Sequence, residues 1–413
     1  MAVAPRRLDS KSSGTRGNDE PYAHRMSELD NKIAQCDDVI ARFAAATNPD
    51  ERTEAARAFV DKGFALGELG RVADEIAVYD DLLADYGSDD ELGVRVMVAR
   101  GLFGKAEALR LDGCAEDAVA VYEDLVQRVG SEHESELRSE FARALVGLGA
   151  VLDDLNRHEE AIGVFNDVLT QFEGASDLAL QEHVARALSN KGFTLMAMDR
   201  DDEAVATFDV LLERFGDATA YPMREQVAYG LLNKGHALRS LGRLGEAVAV
   251  FHELFLRNAS DAVGQLVELA IEALILEARV LWDLDRIEDA ILRCDLMLAT
   301  RGGAEGAEFE PNDRQVATAL ALKVAFLRAL GRSEEAVIVA EQLLDRFIEA
   351  EDPDVREQTA SALYNKGAAL EELGRSSAAM TVYDELLARY SDEESAAITE
   401  VVLKTSLRRQ ALP

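Results

Sequence analysis

The residues of this chain that could do chemistry fall in columns. A small residue recurs at Gly63, Ala106, Gly149, Gly192, Gly235 and Ala278 in steps of 43, then after one step of 46 at Val324, and at Gly367. Immediately before it stand Lys62, Lys105, Lys191, Lys234, Lys323 and Lys366, with Leu148 and Glu277 breaking the series. The chain has only nine Lys against 35 Arg, so six in one column is a selected placement. Six residues before the small residue stand Arg57, Arg100, Arg143 and Arg186, then Tyr229, Glu272, Thr318 and Ser361. Two before it are Asn190, Asn233 and Asn365. Cations at a fixed period either close salt bridges within the protein or fork the carboxylates of a ligand.

For the Lys column an internal ladder is the expected use. Seventeen residues after the small residue come Asp80, Glu123, Asp209, His252, Glu341 and Asp384, and where Lys gives way to Leu148 the partner becomes Asn166. This predicts pairing inside each repeat, with the Lys stem lying along the helix seam. The sixth copy, with Glu277 and Asp295, needs Arg293 or Arg279 instead. For the Arg column two uses stay open: a ligand surface, or pairing with a Glu one turn away, as Glu182 could with Arg186.

Catalytic motifs are missing from the sequence. No GxGxxG follows a strand pattern, and there is no P-loop, HExxH or GxSxG. The six His have no metal-ligand spacing, and Cys36, Cys114 and Cys294 are odd in number and far apart. A non-enzyme with no cofactor, no metal site and free thiols is expected.

The charge narrows the partners. With 44 basic and 78 acidic side chains the formal net charge is −34, a field that repels phosphate backbones and anionic lipid heads. Neither nucleic acid nor membrane is expected as a partner. The first residues, MAVAPRRLDSKSSGTRGNDE, carry no apolar signal-peptide core, and a cytoplasmic location is the expectation.

Positioning these columns requires a repeating helix pair. A large apolar residue four before the small residue and a Leu three after it mark one face of a first helix. Seven after the small residue comes Gly70, Gly113, Asn156, Asp199, Gly242, Asp285, Gly331 or Gly374, types that tolerate the left-handed conformation closing a helix. Twelve after it is Ala in seven of eight copies, and four later comes Tyr79, Tyr122, Phe165, Phe208, Phe251, Cys294, Ala340 or Tyr383. A small residue admits close helix approach, and the ring beside it fills the gap.

With large apolar, small, turn, Ala and aromatic positions in this order, residues 51–391 resemble the tetratricopeptide repeat family, with Leu or Phe where that family leads with Trp. The step of 43 exceeds that family's 34, and the surplus lies before the small residue, lengthening the first helix by up to two turns. The resemblance implies an all-α, right-handed superhelical solenoid of stacked antiparallel helix pairs, with eight repeats. It further implies that first helices line a concave groove, in which one stripe toward a ligand holds Arg57, Phe64, Arg100, Phe103, Arg143, Arg186, Phe193, Tyr229, Arg239, Arg279 and Trp282. In tetratricopeptide domains that grip a peptide's terminal carboxylate, an Asn of the first helix takes part; Asn190 and Asn233, beside Arg186 and Arg239, are the matching candidates here. Trp282, the chain's single Trp, is either a groove anchor or core filling.

The expected organisation is a disordered tail at 1–26, a capping helix in 27–50, eight repeats over 51–391, and a closing helix and tail in 392–413. The expected function is a non-catalytic scaffold binding a protein or peptide segment, acidic with hydrophobic anchors, in the concave groove. The alternatives are a self-assembling structural solenoid, or a regulatory subunit of a separately encoded enzyme or transcription factor. Self-repulsion at −34 predicts that the thermal midpoint rises as salt is raised from about 20 to 150 mM, because added ions shorten the range of repulsion. A steady fall over that range would contradict it.

Overall fold

A computed structural model describes residues 19–130, 134–261, 263–300 and 311–412. Most of the tail expected at 1–26, and residues 301–310 within the step of 46, lie outside the described residues. Every regular element among the described residues is an α-helix. The chain divides into two compact units, 1–226 and 227–413, with the boundary inside α10 (Tyr221–Ser240).

In unit 1, α1 (Asp19–Phe43) packs on α2 (Pro49–Glu68), and helix pairs follow: α2 with α3 (Val72–Tyr86), α4 (Leu92–Leu111) with α5 (Ala115–Val129), α6 (Ser135–Asp154) with α7 (His158–Gln171), and α8 (Leu178–Ala197) with α9 (Asp201–Phe215). In unit 2, α11 (Leu244–Asn258) packs on α12 (Gly264–Asp283). There α12 pairs with α13 (Ile287–Ala299), α14 (Asp313–Ala329) with α15 (Ser333–Phe347), and α16 (Pro353–Glu372) with α17 (Ser376–Tyr390), and α18 (Ala396–Ala411) closes on α16 and α17. First helices run to 20 residues and second helices to 15, so the surplus over a shorter repeat lies in the first helix.

The ends of the helices are local chemistry. Asn48, Asp177 and Asp352 cap first helices by accepting backbone N–H groups. Each first helix closes on a left-handed residue, with positive φ at all eight expected positions, including Asn156, Asp199 and Asp285, which are not glycine. At the first of these, Arg71 N–H reaches back to the Leu66 carbonyl at 2.9 Å, ending the helix and reversing the chain.

One steric relation sets the spacing of the pairs. The second-helix ring of each repeat lies where a side chain on the first helix would be: a Cβ at Gly63, Gly149, Gly192, Gly235 or Gly367 would collide with Tyr79, Phe165, Phe208, Phe251 or Tyr383. Tyr79 and Tyr122 also reach the next first helix, against Gly104 and Gly147. In two of the three repeats whose small residue is larger than Gly the ring is lost, Ala278 with Cys294 and Val324 with Ala340, all buried; the second repeat keeps Tyr122 with Ala106. The Ala column beside the ring is wholly buried in all seven copies; Glu75, the exception, is buried too.

First helices in each unit touch the next first helix, α2 to α4 to α6 to α8 and α12 to α14 to α16 to α18, whereas among the described residues of each unit the backbones of successive second helices stay apart. The first helices therefore form the inner face of each unit, and the second helices splay outside. The size exchange yields a prediction. Gly192→Val alone overpacks against Phe208 and costs about 1–3 kcal/mol, while Gly192→Val with Phe208→Ala copies the seventh repeat. In denaturant titrations the double variant is expected to be more stable than the sum of the single losses by at least about 1 kcal/mol; strict additivity would refute the volume exchange.

Candidate functional site: the inner face and its cations

The Lys column does form a ladder, but between repeats. Lys62 reaches Asp37 at 2.6 Å, Lys105 reaches Asp80 at 2.5 Å, and Lys366 reaches Glu341 at 3.1 Å, each 25 residues back on the preceding helix of the outer layer. Lys323 pairs with Asp295 across the longer step, and Arg409 of α18 takes Asp384 at 2.7 Å, extending the column into the closing helix. The expected pairing within each repeat is thus corrected. The antiparallel turn carries Asp80 to the far side of its own repeat's second helix, against the next first helix. The sixth repeat reverses the polarity: buried Glu277 accepts from Arg293 at 2.6 Å and lies 3.3 Å from His252. Lys191 has Asn166 at the corresponding position, and burial lowers its pKa.

A second ladder escaped the sequence reading. One residue past each turn stand Arg71, Arg157, Arg200, Arg243, Arg286, Arg332 and Arg375, with Cys114 in the second copy. Six of the seven pair with the carboxylate three residues on, as Arg200 does with Glu203 at 2.6 Å. Arg157, Arg200 and Arg375 also bridge to the preceding second helix through Glu116, Glu159 and Glu334. Comparing copies one residue beyond the turn would have revealed it.

The inner-face arginines divide into bound and unbound. On α4 and α6, Arg100 donates to Glu140 at 2.8 Å, and Arg143 lies 3.3 Å from the same carboxylate, which is nearly buried. Arg143 also lies over the Phe103 ring at 3.7 Å, and that ring meets Tyr122 edge-on at 5.6 Å. Arg57 and Arg186, at the two ends of the column, have no carboxylate within 4 Å among the described residues; Glu182 does not close on Arg186. Arg57 borders an open cavity of about 500 Å³ between α1 and α2, with Lys32, Cys36 and Asp61 on its wall. Beside these cations Phe64 is 50% exposed, with Lys32 6.0 Å from its ring, and Phe193 is 42% exposed. Asn190 is half-buried one turn from Arg186.

The inner face of unit 2 is closed by its own contacts. Arg239 bonds Asp283 at 3.1 Å, Arg328 bonds Glu372 at 3.2 Å, and Arg408 bonds Glu371 at 3.2 Å. The Tyr229 hydroxyl accepts from Gln265 at 2.9 Å, and Asn233 is half-buried. Trp282 stacks on buried Phe326 at 5.0 Å yet stays 39% exposed, so one ring face packs and the other meets solvent. Arg279 is exposed, with no carboxylate within 4 Å among the described residues. Unit 1 therefore carries two open cations, Arg57 and Arg186, and unit 2 one, Arg279, beside self-satisfied ones and one aromatic platform.

Residues 115–176 and 326–394 match the family model described as tetratricopeptide repeat. The chain thus carries tetratricopeptide-repeat sequence in two stretches. Its 43-residue repeats have the helix-pair architecture of solved structures at low identity. The apo form of RapI is 12% identical, with TM-score 0.52 over 91% of this chain and 99% of that one. The apo quorum sensor NprR from B. thuringiensis is 13% identical, with TM-score 0.46 over 90% and 99%. The pilF protein of Pseudomonas aeruginosa is 16% identical, with TM-score 0.37 over 75% and 98%. Among curated proteins none matches the chain by sequence. Among the described residues no group of His, Cys, Asp or Glu is arranged to hold a metal, and no helix is long and apolar enough to cross a membrane.

The polarity of the ladder is open to a direct check. In a double-mutant cycle Lys105→Met and Asp80→Asn are expected to couple by about 0.5 kcal/mol, the scale of a half-exposed pair. Lys62→Met and Asp80→Asn, the pairing within one repeat, are expected to add. Coupling in the second cycle with none in the first would restore the intra-repeat ladder.

Proposed function

We propose that this repeat protein is a non-catalytic interaction scaffold, and that the inner face of unit 1 receives an acidic segment of a partner protein carrying apolar anchors. The observation that carries the reading is a contrast. In a chain of net charge −34 most cations are committed to internal carboxylates, yet among the described residues Arg57 and Arg186 on the first helices of unit 1 pair with no carboxylate, and Phe64 and Phe193 on the same two helices are exposed. An exposed guanidinium on an acidic surface recruits anions, because the fork geometry matches a carboxylate and few cations elsewhere compete. Phe64 and Phe193 offer the apolar area that charge alone does not supply. Basic segments are attracted by the rest of the surface instead, and nucleic acid is repelled by it. Three free thiols, two of them buried, accord with a reducing compartment such as the cytoplasm.

The test uses fluorescein-labelled peptides of alternating Glu and Leu or Phe, with Lys-for-Glu peptides of the same length as controls. Anisotropy titrations are expected to show binding of the acidic peptides that weakens with salt. Arg57→Glu with Arg186→Glu is expected to lower affinity at least about tenfold, while reversing Arg157 and Arg200 on the outer ladder changes it by less than about threefold. Equal binding of Lys-rich peptides, or insensitivity to the inner-face reversal, would contradict the reading.

A further inference from the structure

The third and fourth repeats differ at one position that bears on anion binding. In the third, Glu140 stands three residues before Arg143 and takes both that guanidinium and Arg100 of the preceding first helix. One step of 43 later the corresponding residues are His183, Arg186 and Arg143. The two arginines recur and the carboxylate does not, although Arg143 is itself also held by Glu140 and lies over Phe103. His183 is 7% exposed, and its Nδ1 is buried without a hydrogen-bond partner among the described residues, a condition shared only with Arg52 Nε. Burial first, then Arg186 and Arg143, push its pKa down to about 3, so the imidazole is neutral near pH 7 and does not add to the repulsion. The second repeat has Met97 at this position, between Arg57 and Arg100, and offers no polar group there.

We propose that the notch between Arg143 and Arg186, with His183 as its floor, binds a Glu or Asp side-chain carboxylate of the partner segment, in the place that Glu140 fills from within the chain one repeat earlier. The size argues for carboxylate over phosphate, since the template in the third repeat is a single carboxylate shared by two guanidiniums. Because the His183 imidazole is neutral, nothing at that position compensates Arg186 from within the chain, and a bound carboxylate would do so. The inference rests on the proposed function, and names the subsite within it.

The experiment installs the missing carboxylate. His183→Glu is expected to keep the helical circular-dichroism spectrum, raise the unfolding midpoint, and lower the affinity for the Glu/Leu peptide at least about tenfold by competing from within. Arg186→Gln, a half-buried surface change, is expected to lower affinity similarly without altering the fold, and so decides the matter should His183→Glu fold poorly. Peptide affinity unchanged in both variants overturns the notch and leaves the broader groove reading intact. Tighter binding of a phosphoserine-for-Glu peptide overturns carboxylate as the ligand. If no acidic peptide binds at all, the groove reading fails, and the notch is judged with acetate alone. A saturable shift of the His183 imidazole resonances, assigned through His183→Gln and abolished by Arg186→Gln, then supports it; no shift overturns it.

Discussion

Each second-helix ring occupies space that a side chain on the first helix would otherwise need, and the repeat is built around that exclusion. Gly149, Gly192 and Gly235 lie against Phe165, Phe208 and Phe251, which fixes how closely the two helices of a pair approach. Tyr79 and Tyr122 extend the same wedge to the following first helix, so the ring that closes one pair also spaces the next. First helices are thereby held side by side as an inner face, and apolar side chains are consumed in the seams. What remains on that face is long and polar, or aromatic and partly exposed.

Charge is then organised in three tiers. The outer tier pins the start of each second helix through arginines such as Arg157 and Arg200. The middle tier ties each repeat to its predecessor through Lys62, Lys105, Lys323 and Lys366, and to the closing helix through Arg409. These pairs are largely exposed at one partner, so each adds little alone; their regularity fixes register between repeats more than it adds stability. The inner tier is incomplete: Arg100 and Arg143 share Glu140, whereas among the described residues Arg57 and Arg186 have no such partner. An incomplete tier in an otherwise neutralised pattern is where a ligand gains most.

Much of this was legible in the sequence, for reasons that differ by residue. The turn was legible because only a few residue types accept positive φ, and Asn156, Asp199 and Asp285 belong to that set as the glycines do. The helix pairing was legible because small and aromatic residues recur together. The ladder was legible as a column but not as a set of pairs. Asp80 lies close in sequence to both Lys62 and Lys105, and only the antiparallel packing decides between them. The inner face was least legible, because whether an arginine is committed depends on side-chain geometry: Glu54 and Glu140 each stand three residues before an arginine, yet Glu140 holds Arg143 and, among the described residues, Glu54 does not close on Arg57. That position carries no periodic signal of its own, and His183 was read only as a histidine without metal-ligand spacing.

The central claim is that the uncommitted guanidiniums of unit 1, and not the arginines of the outer ladder, meet the partner. The most direct measurement is arginine Nε–H nuclear magnetic resonance of the whole chain, with side-chain assignments, during titration with a Glu/Leu peptide. The account predicts that the Nε–H resonances of Arg57 and Arg186 shift and sharpen as bound carboxylates order them, while those of Arg157 and Arg200, already forked onto Glu160 and Glu203, stay in place. Shifts confined to the outer ladder, or a saturating titration that leaves Arg57 and Arg186 unmoved, would contradict it.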